Sequence, residues 1–414
     1  MGFDWQDEKD FLVLAGIKHF YKLNICKINT QIKLKEIRKQ ALTHRIKVLF
    51  YVTENQKWGY QSLYETFAAD ERFEVLVVVG VLIGVHKGKD TTRKNLEENY
   101  TFFKSRNMNV EYGYKDNKYV CLKEFKPDIV FYEQPWGLPE KHKPWNVSKY
   151  ALTAYCPYAY QLFKNISSAY KHLPCYVYKY FLTHELNYKR LARDYKNIEN
   201  AVVVGYPKLD TYLEPVKDNK VWKSPEKTKI IYAPHHSFES SGLKLATFRE
   251  NGKLILEWAK SHPETTWIFK PHPQFKYTLM TNNIMSTQEI EEYYEEWSKI
   301  AIIYEQGDYF DIFKSSDLMI TDCGSFLAEY LPTKKPLIRP INSESIELNE
   351  IGQLVTREYY CTKDNQELLN VLEEVVVNGN DYKKEERIKL ASETFDFQES
   401  SASKIYKGFL EIVK

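Results

Sequence analysis

Short apolar runs alternate with amphipathic, helix-like segments along the first half of the chain. The runs at residues 47–53, 73–79 and 128–132 are almost continuously apolar, as expected for strands buried on both faces of a parallel sheet. Segments with helical spacing of apolar residues lie between them, at residues 58–69 and 93–106. This alternation predicts an α/β fold with mostly parallel sheets.

A second series of the same kind follows a polar, charged stretch at residues 214–228, which is the best linker candidate. Its predicted strands are residues 229–233, 265–269, 301–304 and 318–321. We therefore predict two α/β domains, residues 47–215 and 216–414, preceded by a basic segment at residues 1–46. Ligands of such sheets bind beyond the carboxyl ends of the strands, so we expect a site in the cleft between the halves.

The basic segment places apolar side chains at helical spacing between Phe11 and Tyr21 and then becomes rich in lysine and arginine. Two interpretations of this segment stay open. Its cations meet anionic lipid at a membrane surface, or the helix packs on the first domain and exposes a charged face to water.

The length, charge and cysteine content of the chain narrow the class of protein. A chain of 414 residues is too long for one ordinary core, and a net charge of +2 gives no reason to expect nucleic acid as a partner. The six cysteines are scattered without a C-x-x-C pair, which favours reduced thiols over disulfides or a zinc site. No apolar run approaches the ~20 residues of a transmembrane helix, so we expect a cytoplasmic protein.

Polar side chains follow two of the predicted strands of the second half. His235 and His236 come after the strand at 229–233, and Lys270 and His272 come after the strand at 265–269. Imidazoles and a lysine can bind a diphosphate, and a histidine can move a proton near neutral pH. The three histidines also suggest a metal site, but no further set of ligands with suitable spacing supports one, so we expect none.

A third strand end has a different character. The strand at 318–321 runs into the small, polar turn Asp322-Cys323-Gly324-Ser325, which opens directly into a predicted helix. Backbone N–H groups and the helix dipole make such a turn a candidate site for phosphate or diphosphate. The alternative is an ordinary strand-to-helix turn in which Ser325 caps the helix.

Four ordered motifs give the second half a resemblance to a known family. Residues 316–325 (SDLMITDCGS) resemble the pattern S-D-x-x-I-T-D-Y-S-S, and residues 232–237 (YAPHHS) resemble a Y-A-P stretch. Residues 205–210 (GYPKLD) are similar to the pattern G-x-P-[RK]-x-D, and residues 270–273 (KPHP) are similar to [RK]-x-H-P. These are motifs of the bacterial CDP-glycerol glycerophosphotransferases, which build teichoic acid and capsule polymers. The resemblance extends over about residues 47–394 and is strongest after residue 202.

The resemblance implies a GT-B fold of two facing Rossmann-like domains, in which the C-terminal domain holds the nucleotide. It also implies a transfer that needs neither metal nor other cofactor. By position, Gly324, Ser325, Asp322 and Lys270 would bind the donor diphosphate. The resemblance also implies that His235, His236 and His272 line the diphosphate pocket and take part in catalysis.

The chain also departs from the family pattern at two places. Cys323-Gly324 stands where the family has Tyr-Ser, and this removes one hydroxyl from the turn. Family polymerases carry a His-Gly-Thr motif whose histidine is the proposed base for the acceptor hydroxyl, but residues 156–160 of this chain read CPYAY. Asp128, Glu133 and His184 remain as candidates for that base.

The sequence therefore predicts an enzyme that transfers glycerol phosphate, or a related polyol phosphate, from a CDP-activated donor and releases CMP. The expected acceptor is a cell-surface glycan, teichoic acid or capsule polymer, with lipid linkage left open. We expect a cytoplasmic location, with attachment to the inner face of the membrane left open. Two alternatives stay open: a GT-B glycosyltransferase that uses a nucleotide-sugar, and an inactive polymer-binding subunit.

Overall fold

The computed structural model describes residues 5–83, 89–164, 175–194, 198–216, 221–238, 242–305 and 307–413. The chain divides into two compact units. The first comprises Met1–Ala159, Ile166–Asp210 and Gln398–Lys414, and the second comprises Tyr160–Asn165 and Thr211–Phe397. Part of the predicted linker, residues 217–220, lies outside the described residues, as do the side chains of the apolar positions from Phe11 to Ile17.

The first unit is built on a parallel sheet. Its strands are β1 (Ile46–Val52), β2 (Phe73–Val79), β3 (Val110–Tyr112), β6 (Ile129–Tyr132), β7 (Leu152–Tyr155), β8 (Lys179–Leu182) and β9 (Ala201–Val203), and a small antiparallel pair is formed by β4 (Tyr114–Lys115) and β5 (Lys118–Tyr119). Its helices are α1 (Trp5–Gln40), α2 (Gln61–Ala68), α3 (Lys89–Lys104), α4 (Pro144–Val147) and α5 (Glu185–Asp194). The strand order is β3-β2-β1-β6-β7-β8-β9, with parallel pairing throughout.

The apolar runs of the sequence explain why this sheet forms. β1 is an interior strand of the sheet, and its Val48 pairs with Val75 of β2 and with Ile129 of β6. Successive residues of β1 point to opposite faces, and both faces are buried: Val48 and Phe50 lie in one apolar cluster, Leu49 and Tyr51 in the other. A strand covered on both faces has no polar side, which is why its sequence does not alternate.

The second unit contains a second parallel sheet. Its strands are β10 (Thr228–Ala233), β11 (Thr265–Phe269), β12 (Ala301–Ile303), β13 (Leu318–Thr321), β14 (Leu337–Pro340) and β15 (Tyr360–Thr362), and its helices are α6 (Phe248–Ser261), α7 (Phe275–Thr281), α8 (Thr287–Ile300), α9 (Phe310–Ser315), α10 (Gly324–Tyr330), α11 (Glu350–Thr356), α12 (Asn365–Leu372) and α13 (Lys384–Thr394). The strand order is β12-β11-β10-β13-β14-β15. The predicted α/β architecture with mostly parallel sheets is confirmed.

Aromatic packing fills one face of this second sheet. Phe269 of β11 stacks on Trp297 of α8 with ring centroids 5.1 Å apart, and Trp267 lies 5.6 Å from the same indole. The start of α8 is defined by a capping box, in which Ser286 accepts a hydrogen bond from the N–H of Glu289 and the Glu289 side chain accepts one from the N–H of Ser286. The aromatic contacts thus hold α8 against β11 in the core of the second unit.

The end of the chain does not belong where the sequence analysis placed it. Residues 216–414 were predicted as one domain, but the last helix, α14 (Ser401–Val413), packs in the first unit, where Ala402, Ile405 and Phe409 lie in the core. Asp210 explains this docking, because its carboxylate accepts hydrogen bonds from the N–H groups of Ser401 (2.8 Å) and Ala402 (2.9 Å) at the start of α14. This is an N-cap supplied from a distant part of the chain.

The G-x-P-[RK]-x-D motif is therefore a docking element of the first unit. Asp210 also accepts a hydrogen bond from the Ser62 hydroxyl of α2 (2.8 Å), so one carboxylate joins two helices. Gly205 has φ +90°, and a Cβ atom there would lie 2.6 Å from the Ser401 hydroxyl. The glycine provides both the left-handed backbone and the space that α14 needs.

The basic N-terminal segment forms the long helix α1, and one side of it is buried. Cys26, Lys33 and Ile37 are buried, and the Lys33 ammonium lies 3.0 Å from the Asp128 carboxylate. Among the described residues, no helix is both long enough and apolar enough to span a membrane.

Removing the Asp210 cap should loosen α14 in particular. In Asp210→Ala two backbone N–H groups and one hydroxyl lose their acceptor, so we expect a loss of about 1–3 kcal/mol in the stability of the first unit. Hydrogen–deuterium exchange should rise in α14 and in the start of α2, while α6 and α8 stay protected. Glu71→Ala, which removes an exposed carboxylate, is the control. Unchanged exchange in α14 of Asp210→Ala would contradict the capping role.

Candidate active site

The predicted strand ends of the second unit lie at one edge of its sheet. Since β11, β10, β13 and β14 are consecutive neighbours and pair in parallel, the segments that follow them leave the sheet on the same side. This brings together the segments with His235 and His236, Lys270 and His272, and the turn that starts at Asp322.

The three imidazoles form a compact cluster. The ring centroids of His236 and His272 lie 3.9 Å apart in a stacked arrangement, and His235 lies 4.6 Å from His236 and 5.3 Å from His272. His235 is buried and the other two are partly buried. Two of these contacts join the end of β10 to the end of β11, as the sequence analysis expected.

Backbone contacts fix the tautomer of two of these rings. The Nδ1 atom of His235 accepts hydrogen bonds from the backbone N–H of Ser237 (3.2 Å) and from its hydroxyl (2.7 Å), and this hydroxyl in turn accepts from the N–H of Leu245 (3.0 Å). The Nδ1 atom of His272 accepts from the N–H of Gln274 (3.1 Å). An imidazole that accepts at Nδ1 carries its proton at Nε2, so His235 and His272 each present an N–H donor.

The cluster is held in the neutral form. Burial lowers the pKa of His272 to about 3, with smaller effects of His236 and Lys270. Burial, followed by the neighbouring imidazoles, places the pKa of His235 well below its ordinary value, and burial also lowers that of His236. At neutral pH the two fixed rings therefore donate hydrogen bonds without carrying positive charge.

The donor tautomer also bears on metal binding. The ligand nitrogens of the three histidines all lie within 4.8 Å of one another, close enough for one cation. A metal needs the lone pair of a deprotonated nitrogen, whereas the Nε2 atoms of His235 and His272 carry protons. The geometry thus favours an anion over a cation, and a site without metal stays a prediction.

Asp322 holds the segment that carries these histidines. Its carboxylate is buried and accepts hydrogen bonds from the N–H of His235 (2.6 Å), the N–H of Thr247 (2.7 Å) and the Thr247 hydroxyl (2.9 Å). The sequence analysis had listed Asp322 among groups that bind the donor diphosphate. Both of its oxygens are occupied by protein donors, so the structure places it as a positioning residue.

The small turn after β13 is covered on one side by an aromatic ring. A Cβ atom on Gly324 would lie 2.7 Å from the Phe163 ring, and Phe163 is fixed in the second unit by its backbone bridge to Leu348. The glycine in place of the family's serine thus has a packing reason. Gly324 is buried, whereas Ser325 is partly exposed, so Ser325 is the residue of this pair that a ligand can contact.

Lys270 adds a cation to the same edge of the sheet. The side chain is buried, and its ammonium lies 5.0 Å from the ring centroid of Tyr309, 5.4 Å from that of Tyr304 and 5.7 Å from that of Phe326. These rings favour the charged form through cation–π contacts. The ammonium is close enough to His272 to contribute to its low pKa.

The three candidates for the acceptor base lie in the first unit and differ in environment. Asp128 precedes β6, so it lies at the amino end of that strand, where it accepts from the N–H of Lys47 (2.9 Å) and pairs with Lys33. His184 follows β8, and its Nδ1 accepts from the N–H of Leu186 (3.1 Å); burial lowers its pKa. Neither arrangement leaves an obvious proton acceptor.

Glu133 follows β6 at its carboxyl end and is almost fully buried. One oxygen, Oε2, accepts from the N–H groups of Thr53 (2.9 Å) and Glu54 (3.1 Å), while Oε1 has no hydrogen-bond partner among the residues that the structure describes. Burial raises the pKa of Glu133 to about 8, although the two N–H groups and Lys57 oppose the shift. A carboxyl group with this pKa can exchange a proton near neutral pH.

The sequence analysis missed Arg339, in the third position of β14. Only 7% of this residue is exposed, and it lies next to β13, whose end carries Asp322. The run Leu337-Ile338-Arg339-Pro340 contains the signal, because an arginine inside an apolar strand needs a specific reason to be there. Ser237 and Thr247, which orient His235 and engage Asp322, were also missed, since their roles depend on contacts that are remote in sequence.

Comparisons with known proteins agree with this architecture. The chain is similar in structure to UDP-GlcNAc 2-epimerase of Neisseria meningitidis bound to UDP-GlcNAc (TM-score 0.58, 13% identity, 89% of this chain and 99% of that one) and to a putative UDP-N-acetylglucosamine 2-epimerase of Listeria monocytogenes (TM-score 0.59, 12% identity, 88% and 95%). The 2-epimerase of Methanocaldococcus jannaschii matches with a TM-score of 0.51 at 14% identity, over 89% of this chain and 99% of that one. These likenesses confirm the GT-B fold of two Rossmann-like units.

No curated protein matches the sequence. The family model for CDP-glycerol:poly(glycerophosphate) glycerophosphotransferase matches residues 169–408, which is more than half of the chain. The four motifs and the strand-end residues of the second unit all fall within that range, as does His184, whereas Asp128 and Glu133 lie outside it. The chain therefore belongs to the CDP-glycerol:poly(glycerophosphate) glycerophosphotransferase family.

Proposed function

We propose that the protein transfers glycerol phosphate from CDP-glycerol, or another polyol phosphate from the corresponding CDP-activated donor, to a cell-surface glycan or polyol-phosphate polymer. A hydroxyl of the acceptor attacks the phosphorus that bears the polyol. A new P–O bond forms, the bond to the CMP oxygen breaks, and the acceptor proton passes to a base or to water. CMP leaves with the bonding electron pair.

The observation that carries this proposal is the pair of neutral imidazoles with fixed Nε2–H donors, His235 and His272. A phosphate that departs gains negative charge on one oxygen, and prearranged N–H donors stabilise that charge more in the transition state than in the ground state. Lys270 supplies a full positive charge beside them. Ser325 is placed to add a hydroxyl, and Asp322 keeps the His235 segment in position.

These groups provide what phosphoryl transfer requires without a bound metal, because the reaction depends mainly on positioning and electrostatic stabilisation. In this proposal His236, for which no hydrogen bond to its ring is present among the described residues, is the imidazole that can take a proton when an anion arrives. A neighbouring phosphate would raise its pKa from the lowered value that burial imposes.

For the acceptor base we favour Glu133 among the three candidates. One of its oxygens has no partner in the described part of the chain, and its pKa is about 8. Asp128, in contrast, is engaged by Lys33 and by a backbone N–H. A loose transition state places little demand on such a base, so its contribution should be smaller than that of the histidines.

We also propose that α1 binds the inner surface of the membrane, where a lipid-linked acceptor would be found. On the side of α1 opposite its buried residues, Phe20, Tyr21, Ile28 and Ile32 are each more than half exposed. Exposed cations lie among them at Lys27, Lys35, Arg38 and Lys39. Apolar side chains interleaved with cations are typical of helices that lie on anionic bilayers.

The donor distinguishes this function from the alternatives. We expect CMP release from CDP-glycerol or CDP-ribitol when an acceptor polymer is present, with and without EDTA, and no turnover of UDP-sugars. Turnover of a nucleotide-sugar instead would make the protein a glycosyltransferase. The absence of turnover with any donor would leave a polymer-binding subunit.

Loss of one imidazole donor should reduce that turnover strongly. We expect His272→Ala and His235→Ala to lower kcat about 10²–10³-fold, and Ser325→Ala to lower it less, because its hydroxyl is one donor among several. His262→Ala is the matched control, since His262 stacks on Trp258 with ring centroids 3.8 Å apart and lies at the amino end of β11. If His272→Ala keeps more than half of the wild-type rate, the site assignment is wrong.

Glu133 should give the enzyme a characteristic pH dependence. Its pKa in the folded protein, about 8, lies above the ordinary value of 4.5, so the folded state retains a proton that the unfolded chain has lost. Stability therefore falls as the pH rises from about 4.5 to about 8, and kcat rises over the upper part of that range as the base form appears. Glu133→Gln should remove both slopes. A wild-type rate that does not change between pH 6 and 9 would contradict the assignment.

Membrane binding by α1 can be measured by co-sedimentation with vesicles. The wild-type protein should bind vesicles that contain phosphatidylglycerol more tightly than neutral phosphatidylcholine vesicles, and high salt should weaken the binding. The double variant Ile28→Glu/Ile32→Glu should lose most of this affinity. Tyr277→Glu alters an equally exposed aromatic residue elsewhere (63% exposed) and should bind as the wild type does. Equal binding by all three proteins would exclude α1 as the contact.

A further inference from the structure

Arg339 differs from two other buried cations of the protein, Lys33 and Arg387. The buried side chains of Lys33 and Arg387 are each paired with a carboxylate, Asp128 and Asp381 respectively. No carboxylate in the described part of the chain forms an ion pair with Arg339, and the partner of its guanidinium is the Cys361 thiol on the neighbouring strand. A thiol is a weak hydrogen-bond partner and does not neutralise the charge.

The charge of Arg339 is costly in this position. Burial lowers its pKa, and the opposing effects come from Cys361 and from Asp322 at a distance. Asp322 is already engaged by His235 and Thr247, so it offers little compensation. Buried charges in proteins are normally paired, and an unpaired one indicates a counter-charge that arrives with a ligand.

Arg339 lines a surface pocket of about 360 Å³. Of the other lining residues, four are neutral and polar (Asn342, Ser343, Ser345 and Gln353) and three are apolar (Ile341, Ile346 and Leu348). Its one carboxylate, Glu347, is already paired with Lys164. A hydrogen bond from the Asn342 amide to the carbonyl of Ala246 (3.1 Å) fixes one wall to the segment that precedes α6. The pocket volume is in the range that small-molecule sites occupy.

We propose that this pocket binds the nucleoside monophosphate part of the donor and that Arg339 contacts its phosphate. The inference rests on the proposed function, and it assigns the part of the donor that departs. A guanidinium presents a planar fork of N–H donors that matches two phosphate oxygens. The amide and hydroxyl groups of the pocket suit a ribose and a base.

The position of β14 supports this assignment. Arg339 lies near the carboxyl end of β14, the strand next to β13, so it belongs to the same edge of the sheet as the turn that carries Ser325. Since β13 lies between β14 and β10, a donor diphosphate at this turn would have Arg339 on one side and the imidazoles on the other. Every group named here belongs to the second unit.

The main structural alternative makes an opposite prediction about stability. If Arg339 served only to hold β14 and β15 together, its replacement would destabilise the protein. If it is an unpaired charge kept for a ligand, Arg339→Met removes a desolvation cost and fills a similar volume, so the melting temperature without ligand should be unchanged or higher.

Calorimetric titration with CMP, cytidine and inorganic pyrophosphate tests the inference. We expect Arg339→Met to weaken CMP binding at least about tenfold, the effect of losing one charge-assisted contact, and to weaken pyrophosphate binding as well. Cytidine, which has no phosphate, should bind the variant and the wild type alike. Arg339→Lys, which keeps the charge but not the fork, should fall between the two. Arg357→Met changes an exposed arginine of the same unit and is the control.

The outcomes separate this inference from the proposed function. The inference would be overturned if Arg339→Met bound CMP and pyrophosphate with affinities within twofold of wild type. It would also be overturned if the variant bound CMP and cytidine equally more weakly than wild type, or if its melting temperature clearly fell. Wild-type protein that binds pyrophosphate but neither CMP nor CDP-glycerol would contradict the proposed donor, and the pyrophosphate titration would still decide the role of Arg339.

Discussion

In the second unit one buried carboxylate joins segments that are remote in sequence. Asp322, at the end of β13, accepts hydrogen bonds from the backbone of His235 after β10 and from both the backbone and hydroxyl of Thr247 before α6. The orientation of the histidine cluster depends on this contact, because His235 is held from behind by Asp322 and beside its ring by Ser237. The aspartate of the other motif, Asp210, acts in the same way on the start of α14. In both motifs an aspartate accepts hydrogen bonds from backbone N–H groups of a segment that is remote in sequence.

The sheets could be predicted well from the sequence. The strands expected at residues 73–79, 265–269 and 318–321 coincide with β2, β11 and β13. Strands covered on both faces are continuous apolar runs, and such runs end where the strand leaves the core. The order of the strands along each sheet is a tertiary property, and no local pattern contains it.

The grouping of the three histidines was predicted from the sequence, but the contacts around them were not. That His235, His236 and His272 meet could be inferred, since the ends of neighbouring parallel strands leave a sheet on the same side. Their tautomers depend on contacts with Ser237 and Gln274. The role that we propose for Arg339 rests on the absence of an ion-pair partner among the described residues. Neither property can be read from spacing. The docking of α14 was missed for a related reason, because its cap lies 191 residues away in sequence.

The return of the chain to the first unit has a consequence for its synthesis. The core of that unit includes Ile405 and Phe409 of α14, so a ribosome must make the entire second unit before the first can be completed. During that interval the apolar surface that α14 covers stays open to water, and the second unit has every residue of its own sheet available. If folding follows translation, the second unit is therefore completed before the first, although the sheet of the first unit comes earlier in the sequence.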